Sequence, residues 1–347
     1  MRKRHIALGI ALAVPLLLWL NNSSLLSPRA PGPPVLLAHR GMAQQFDTRD
    51  LRGDTCTAAR MLPPTHPFLE NTIASMRAAF AAGADVVELD VHPTTDGQFA
   101  VFHDWTLDCR TEGRGVTREH AMADLRKLDL GHGYTADGGR TFPFRGKGVG
   151  LMPTLDEVLA AFPDRRFVIH IKSRDRDEGA KLAAVLGKLP AERRRRLVVY
   201  GGNEPVAEAR RLLPDVQTTS LALLKGCLLP YIALGWSGWV PAGCARMMLL
   251  VPVNVAPWLW GWPNRFLDRM EAAGSSVFVL GPYRGGEFST GIDAPQDLAR
   301  LPRDYGGGIW TNRVEAIAPV VGKAGRAPAK GLTPAPAAPS APAMRQR

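Results

Sequence analysis

Acidic residues are missing from both ends of this 347-residue chain. Residues 1–34 carry Arg2, Lys3, Arg4 and Arg29 and no Asp or Glu. Residues 321–347 carry Lys323, Arg326, Lys330, Arg345 and Arg347 and again no acid. With those nine bases set aside, 34 of the 43 Lys and Arg remain, against 32 acids. The formal charge of +11 therefore belongs mostly to the tails. Nucleic-acid binding asks for bases clustered on the fold itself, so it is excluded as a partner class. Cysteine is scarce as well, with four in the chain and no C-x-x-C pair, which excludes a cysteine-built zinc site. No segment repeats with a period of 20 to 50 residues, which excludes a solenoid.

The ends also differ from the middle in kind. A basic head, RKRH, precedes the apolar run Ile6–Leu20. This is the layout of an export signal. The run is long for a signal peptide and short for a bare spanning helix. No small-x-small cleavage site follows it. Residues 1–30 are therefore expected to be an uncleaved membrane anchor with the folded domain on the extracytoplasmic side. A cleaved signal peptide, giving a secreted or periplasmic protein, is the alternative. Residues 323–347 are Ala/Pro-rich with few large apolar groups, and are expected to be disordered. The remaining 35–322 suits one domain.

Within that domain short apolar runs alternate with helical patterns, which predicts a mostly parallel sheet. Strand candidates are Val35–Ala38, Asp85–Val91, Phe99–Phe102, Phe167–Ile171, Leu197–Tyr200, Val216–Leu221, Met247–Val253, Ser276–Leu280 and Gly308–Trp310. Asn71 or Thr72 should cap a helix through Ala82 that stops at Gly83, and Pro153–Glu157 should open another running to Ala161. Further helices are expected over 177–189 and 204–213. Two long insertions stand out: 43–68 after the first strand and 105–152 after the third. Loops of that length are functional or mobile.

Polar groups gather where the early apolar runs end: His39 and Arg40 in LLAHRG, Glu88 and Asp90 in VVELDV, His103 in FAVFHD, with Glu70 in LENT. Glu88 and Asp90 are two apart, so in a strand they share a face. Burying them unpaired would be costly. A divalent cation held by hard oxygen ligands explains them, and a buried salt bridge to Arg40 or Lys172 is the alternative. His39 and His103 can act as an acid/base pair, and Arg40 can grip a phosphate oxygen. His92 is taken as structural.

The order HRG, ENT, E-x-D, T-x-DG, HD resembles the glycerophosphodiester phosphodiesterase family, from about Val35 to Val321 and more faintly in the middle third. The resemblance implies a TIM (β/α)8 barrel with its site at the C-terminal ends of the strands. It implies metal-dependent hydrolysis of glycerophosphodiesters to glycerol 3-phosphate and an alcohol, with water or the substrate's own hydroxyl as nucleophile. One of His39 and His103 would be the general acid and the other the general base. Glu88 and Asp90 would bind metal, Glu70 would lie near the metal or a histidine, and Lys172 would bind substrate. The L-D-x-G element at Leu128–Gly131 matches a small family insertion.

The chain departs from the family at the fourth strand. The usual E-x-K reads His170-Ile171-Lys172, so an imidazole stands where a third carboxylate ligand is expected. Imidazole suits Mn²⁺ or Zn²⁺ better than Ca²⁺, so the ion could be Mg²⁺, Ca²⁺, Mn²⁺ or Zn²⁺. Near the end, Asn312 replaces an Asp, at a position expected only to support the barrel mouth.

Cys56 and Cys109 lie in loops leaving one barrel face, and Cys227 and Cys244 bracket a Trp/Gly-rich segment. Disulfides Cys56–Cys109 and Cys227–Cys244 are expected, with four free buried thiols as the alternative. Trp236, Trp239, Trp258, Trp260 and Trp262 crowd one stretch. They either pack an irregular barrel segment or form an amphipathic lip for a lipid tail or membrane surface. The lip would favour phospholipase D-type activity on lysophospholipids over glycerophosphodiester hydrolysis. A non-catalytic phosphoester-binding protein, suggested by the missing Glu, is the remaining alternative.

Overall fold

The structure, a computed structural model, describes residues 2–28, 32–51, 55–285 and 290–322. The tail segment 323–347 lies outside the described residues.

Among the described residues, nine strands form one sheet: β1 (Val35–His39), β2 (Val86–Pro93), β3 (Phe99–Val101), β4 (Arg166–Ile171), β5 (Leu197–Gly201), β6 (Gln217–Thr219), β7 (Met248–Pro252), β8 (Ser276–Leu280) and β9 (Gly308–Thr311). Eight are parallel, in the order β6-β5-β4-β2-β1-β9-β8-β7. A parallel bridge from Thr218 to Met247 brings β6 to β7 and nearly closes the ring. The fold is a TIM barrel. The ninth strand, β3, pairs antiparallel with β2 outside the ring, so the surplus among the nine sequence candidates is this hairpin.

Strand alternation sorts the apolar residues into two layers. Leu37, Val86, Val168, Val198, Met248, Phe278 and Trp310 point inward and fill the barrel. Leu36, Ala38, Val87, Leu89, Ile169, Val199 and Leu249 point outward onto the helices. Gly308 lets Phe278 occupy the barrel floor, since a Cβ there would lie 2.3 Å from the Phe278 ring.

The helix Ile73–Ala82 is capped by Thr72, whose hydroxyl accepts from Ser75 N, and ends at Gly83 with φ 115°. Thr154 caps Leu155–Ala161 in the same way, with Glu157 reaching back. The expected strand 216–221 is shorter than anticipated. Ser220 accepts from Leu223 N and starts a helix, Leu221–Leu234, that the sequence pattern did not announce.

The two long insertions pack on each other. Ala58 and Met61 of the first join Leu107, Met122, Leu125, Leu130, Tyr134, Phe144 and Met152 of the second in a separate apolar cluster beside the mouth. A disulfide, Cys56–Cys109, ties them together. Asp129 of the L-D-x-G element accepts from Gly131 N at 2.9 Å and Gly148 N at 2.7 Å, which folds the loop back on itself. A second disulfide joins Cys227 to Cys244.

Residues Arg2–Asn22 form a helix containing Pro15. Among the described residues, no helix is long and apolar enough to cross a membrane.

Candidate active site

The inward alternation of β1, β2 and β4 ends in polar groups at the mouth. In register, His39 lies beside Glu88 and Asp90 beside His170. Glu88 and Asp90 are fully buried. One ligand atom from each of Glu88, Asp90 and His170 lies within 4.8 Å of the others.

The chain turns sharply after β1. Arg40 has φ 59° and Gly41 φ 76°, and a Cβ on Gly41 would lie 2.6 Å from Ser75 Oγ. Asn71 also sits at positive φ, 60°, and its N–H donates to the Arg40 carbonyl at 3.0 Å. Two residues in a left-handed conformation thus brace each other at the mouth, where such strain is expected to concentrate. The Arg40 turn directs its N–H onto Glu88 Oε2 at 3.2 Å.

Asp90 is surrounded by polar partners. His170 Nδ1 is 2.9 Å and Lys172 Nζ 3.4 Å from Oδ1; Asn71 Nδ2 is 2.9 Å and Arg40 Nε 3.3 Å from Oδ2. Glu88 is not: among the described residues its Oε1 has no hydrogen-bond partner, and it lies 3.7 Å from His170 Nδ1. Burial opposes ionisation of both carboxyls. For Asp90, Lys172, His103 and Arg40 outweigh it and hold the carboxyl well below its ordinary range. For Glu88, burial and the Asp90 charge dominate and push the carboxyl well above its range. A buried carboxylate oxygen with no donor, beside a second carboxylate, is a place that a cation fits. Salt bridges to Arg40 and Lys172 account for Asp90 and leave Glu88 Oε1 unaccounted for.

The histidines have different partners. His103 Nδ1 faces Asp104 Oδ1 at 2.6 Å, and Asp104 in turn is paired with Arg110. Arg110 continues to Glu70 at 3.2 Å, and Glu70 accepts from Arg40 at 3.0 Å. Glu70 thus lies between two arginines, outside the three-residue cluster, and the pair holds its carboxyl low, at about 2, against burial. His39 Nδ1 instead faces the amide oxygen of Asn312 at 2.6 Å. Asn312 donates its Nδ2 to Asp293 at 2.8 Å, which fixes the amide orientation. The other His39 nitrogen, Nε2, is 3.7 Å from Glu88 Oε2. The His39 ring also leans on Trp310 at 5.1 Å, and the His170 ring stacks on Tyr200 at 4.1 Å. Burial, reinforced by Arg40, lowers His39 to about 3 and His103 to about 4. Burial and Lys172 lower His170 to about 4.

Sequence reasoning located His39, Arg40, Glu70, Glu88, Asp90, His103, His170 and Lys172, and these converge on one mouth. It missed Arg110, Asp293, Tyr200 and the side-chain role of Asn71, which bonds Asp90 while Thr72 does the capping. Asn312, expected only to support the rim, touches His39 directly.

Residues 39–211 match the glycerophosphoryl diester phosphodiesterase family. This is shorter than the expected 35–321 and ends before the Trp-rich segment. A glycerophosphodiester phosphodiesterase from Bacillus subtilis is 40% identical over 125 residues, covering 34% of this chain and 41% of that protein. The matched region thus spans less than half of that relative. Among solved structures, the glycerophosphoryl diester phosphodiesterase domain of Mycobacterium tuberculosis Rv2277c superposes with a TM-score of 0.56 at 18% identity, covering 82% of this chain and 97% of that one. An Oleispira antarctica phosphodiesterase, solved with the product sn-glycerol-3-phosphate, gives a TM-score of 0.51 at 19% identity, covering 84% and 97%. Together with the ordered motifs at the barrel mouth, the match over 39–211 shows that this chain belongs to the glycerophosphoryl diester phosphodiesterase family.

Proposed function

We propose that the chain hydrolyses glycerophosphodiesters to glycerol 3-phosphate and an alcohol. The observation that carries this is the meeting of two histidines, each with its own polar partner, beside a buried carboxylate pair and the cations Arg40 and Lys172. The Oleispira relative's product is the one this reaction would release.

Glu88, Asp90 and His170 would hold one divalent cation, which when bound supplies charge neutralisation at a phosphoryl oxygen. Arg40 and Lys172 would grip the remaining anionic oxygens. Asn312 accepts from His39 Nδ1, so the proton sits there and Nε2 keeps its lone pair. A neutral amide does little to stabilise an imidazolium, so His39 suits the base that takes the nucleophile's proton. Asp104 opposes the lowering of His103 by burial and Arg40, and His39 has no such carboxylate, so of the two rings His103 suits the acid that protonates the leaving alkoxide. The nucleophile is water, or the neighbouring glycerol hydroxyl, in which case the first product is a cyclic glycerol phosphate that water then opens to glycerol 3-phosphate. As the nucleophile bonds to phosphorus, the bond to the alcohol oxygen breaks and that oxygen takes the His103 proton.

The exposed tryptophans favour a second reading, phospholipase D-type cleavage of lysophospholipids. The paired histidines argue against a non-catalytic binder. The N-terminal segment supports an exported, membrane-anchored protein acting on the extracytoplasmic side. Hydrolysis of glycerophosphocholine and lysophosphatidylcholine, each with Mg²⁺, Ca²⁺, Mn²⁺ or Zn²⁺ and with chelator, tests these readings. Release of glycerol 3-phosphate in a chelator-sensitive manner is expected. Failure to turn over either substrate with any of the four ions would overturn the enzymatic reading.

A further inference from the structure

The helix Leu221–Leu234, LALLKGCLLPYIAL, has one charge, Lys225. A helix apolar on all sides is ordinarily buried. Here only Cys227 and Tyr231 are buried, while Leu221 and Leu229 are 61% and 62% exposed. The chain that follows is equally uncharged: from Gly226 to Pro263, Arg246 is the only charged residue. It adds exposed Trp236, Trp239, Trp258 and Trp260, with Trp258 74% exposed. The parts are connected. Tyr231 donates to the Trp260 carbonyl at 2.7 Å, and Trp260 Nε1 to the Ile232 carbonyl at 2.8 Å.

The N-terminal helix departs from this same place. Asn22 Nδ2 donates to the Trp236 carbonyl at 2.8 Å, and Ser24 Oγ to the Gly261 carbonyl at 2.9 Å. Arg269 clamps the junction, donating to the Asn21 carbonyl at 2.9 Å and to the Gly235 carbonyl at 3.1 Å. Trp19, one turn earlier, is exposed on this helix. The 15-residue apolar run Ile6–Leu20 is about 22 Å long as a helix, short of the roughly 30 Å of a bilayer's hydrocarbon core.

We infer that the barrel flank formed by Leu221–Leu234 and the tryptophans of 236–260 is a lipid-bilayer docking surface, seated in the interface beside the N-terminal helix. A long apolar face rimmed by tryptophan, free of acid, fits the headgroup–acyl boundary, where indole is favoured. The short apolar run and the flank share one junction, so both can reach the same leaflet. This contact is separate from catalysis and does not rest on the proposed reaction.

The full chain with Trp19→Phe, reconstituted with phosphatidylcholine/phosphatidylglycerol vesicles, tests it by tryptophan emission. Lipids brominated in the upper acyl chain are compared with unbrominated ones. Bromine should quench the emission. Replacing Trp236, Trp239, Trp258 and Trp260 by Phe, which keeps the apolar surface, should abolish that quenching. Quenching that persists in the four-Phe variant overturns the inference, as does vesicle-bound protein with no quenching. A chain left in the supernatant overturns it too. So does an unquenched dimer, which would show that a second copy covers the face.

Discussion

His39 donates through Nδ1 to Asn312 Oδ1 across 2.6 Å, joining the first parallel strand of the barrel to the residue just after the last. The amide is itself held by Asp293, so the ring has one tautomer and one orientation. Asn312→Ala should therefore lower kcat by about tenfold to a hundredfold with little change in KM, because a misplaced base loses reactive geometry rather than binding. Steady-state kinetics on glycerophosphocholine would decide it. A variant changed only in KM would mean that Asn312 serves binding.

The two histidines should separate by leaving group. His103→Ala should lose about 10²–10⁴ in rate on a choline ester and much less on a p-nitrophenyl ester, whose phenolate departs without a proton. His39→Ala should lose a similar factor on both. Equal recovery of both variants on the activated ester would reverse or void the assignment of base and acid.

His170→Glu should shift metal preference. The imidazole sits 2.9 Å from Asp90 Oδ1 and within the cluster that also holds Glu88. A carboxylate there gives an all-oxygen site and should move the activity ranking from Mn²⁺ or Zn²⁺ towards Mg²⁺ or Ca²⁺. An unchanged ranking for the two proteins would remove His170 from the ligand set.

Acid should destabilise the metal-free protein through its buried imidazoles. Burial, then Lys172, lowers His92 from 6.5 to about 3. Between those values the unfolded chain binds a proton that the folded one refuses, so stability falls as pH falls from about 6.5 towards 3. One such group gives a slope of about 1.4 kcal/mol per pH unit. Urea denaturation with chelator at pH 7, 6 and 5 should show a slope smaller in His92→Gln, by about half that amount between pH 7 and 6 and approaching it between pH 6 and 5. Parallel pH dependence of the two proteins would contradict the shift.

The disulfides should differ in what they protect. Cys227–Cys244 closes a short loop on the outer flank, and its removal should cost about 2–4 kcal/mol with kcat unchanged. Cys56–Cys109 joins the two insertions next to Arg110, which holds Asp104 and Glu70. The Cys56→Ser/Cys109→Ser variant should lose stability and kcat together. Thermal melts and rates on both double variants test this contrast.

His39, Glu88, Asp90 and His103 were legible in the sequence because strand alternation and short apolar runs place such groups on one face at strand ends. The mostly parallel sheet was legible for the same reason, since helical and strand periods alternate, and its closure into a barrel was an expectation carried by the family resemblance. Arg110 and Asp293 were not. They reach the site across long connections, and nothing local distinguishes them from solvated charges. The helix Leu221–Leu234 was missed because its period is erased by apolar residues on every side and by Pro230. The hairpin strand β3 looked like any barrel strand, because pairing direction leaves no mark in a three-residue run. Asn312 was underrated because its partner lies 273 residues away.

The chain of contacts from Arg40 through Glu70 and Arg110 to Asp104, together with Glu88, Asp90 and Lys172, has an electrostatic consequence. With Asp293 behind Asn312, carboxyls outnumber the basic groups Arg40, Arg110 and Lys172 at this mouth, and a divalent cation offsets that excess. The imidazole of His170 leaves the loaded mouth one unit more positive than a carboxylate there would, so capture of an anionic ester should weaken more steeply with ionic strength in this chain than in a His170→Glu variant.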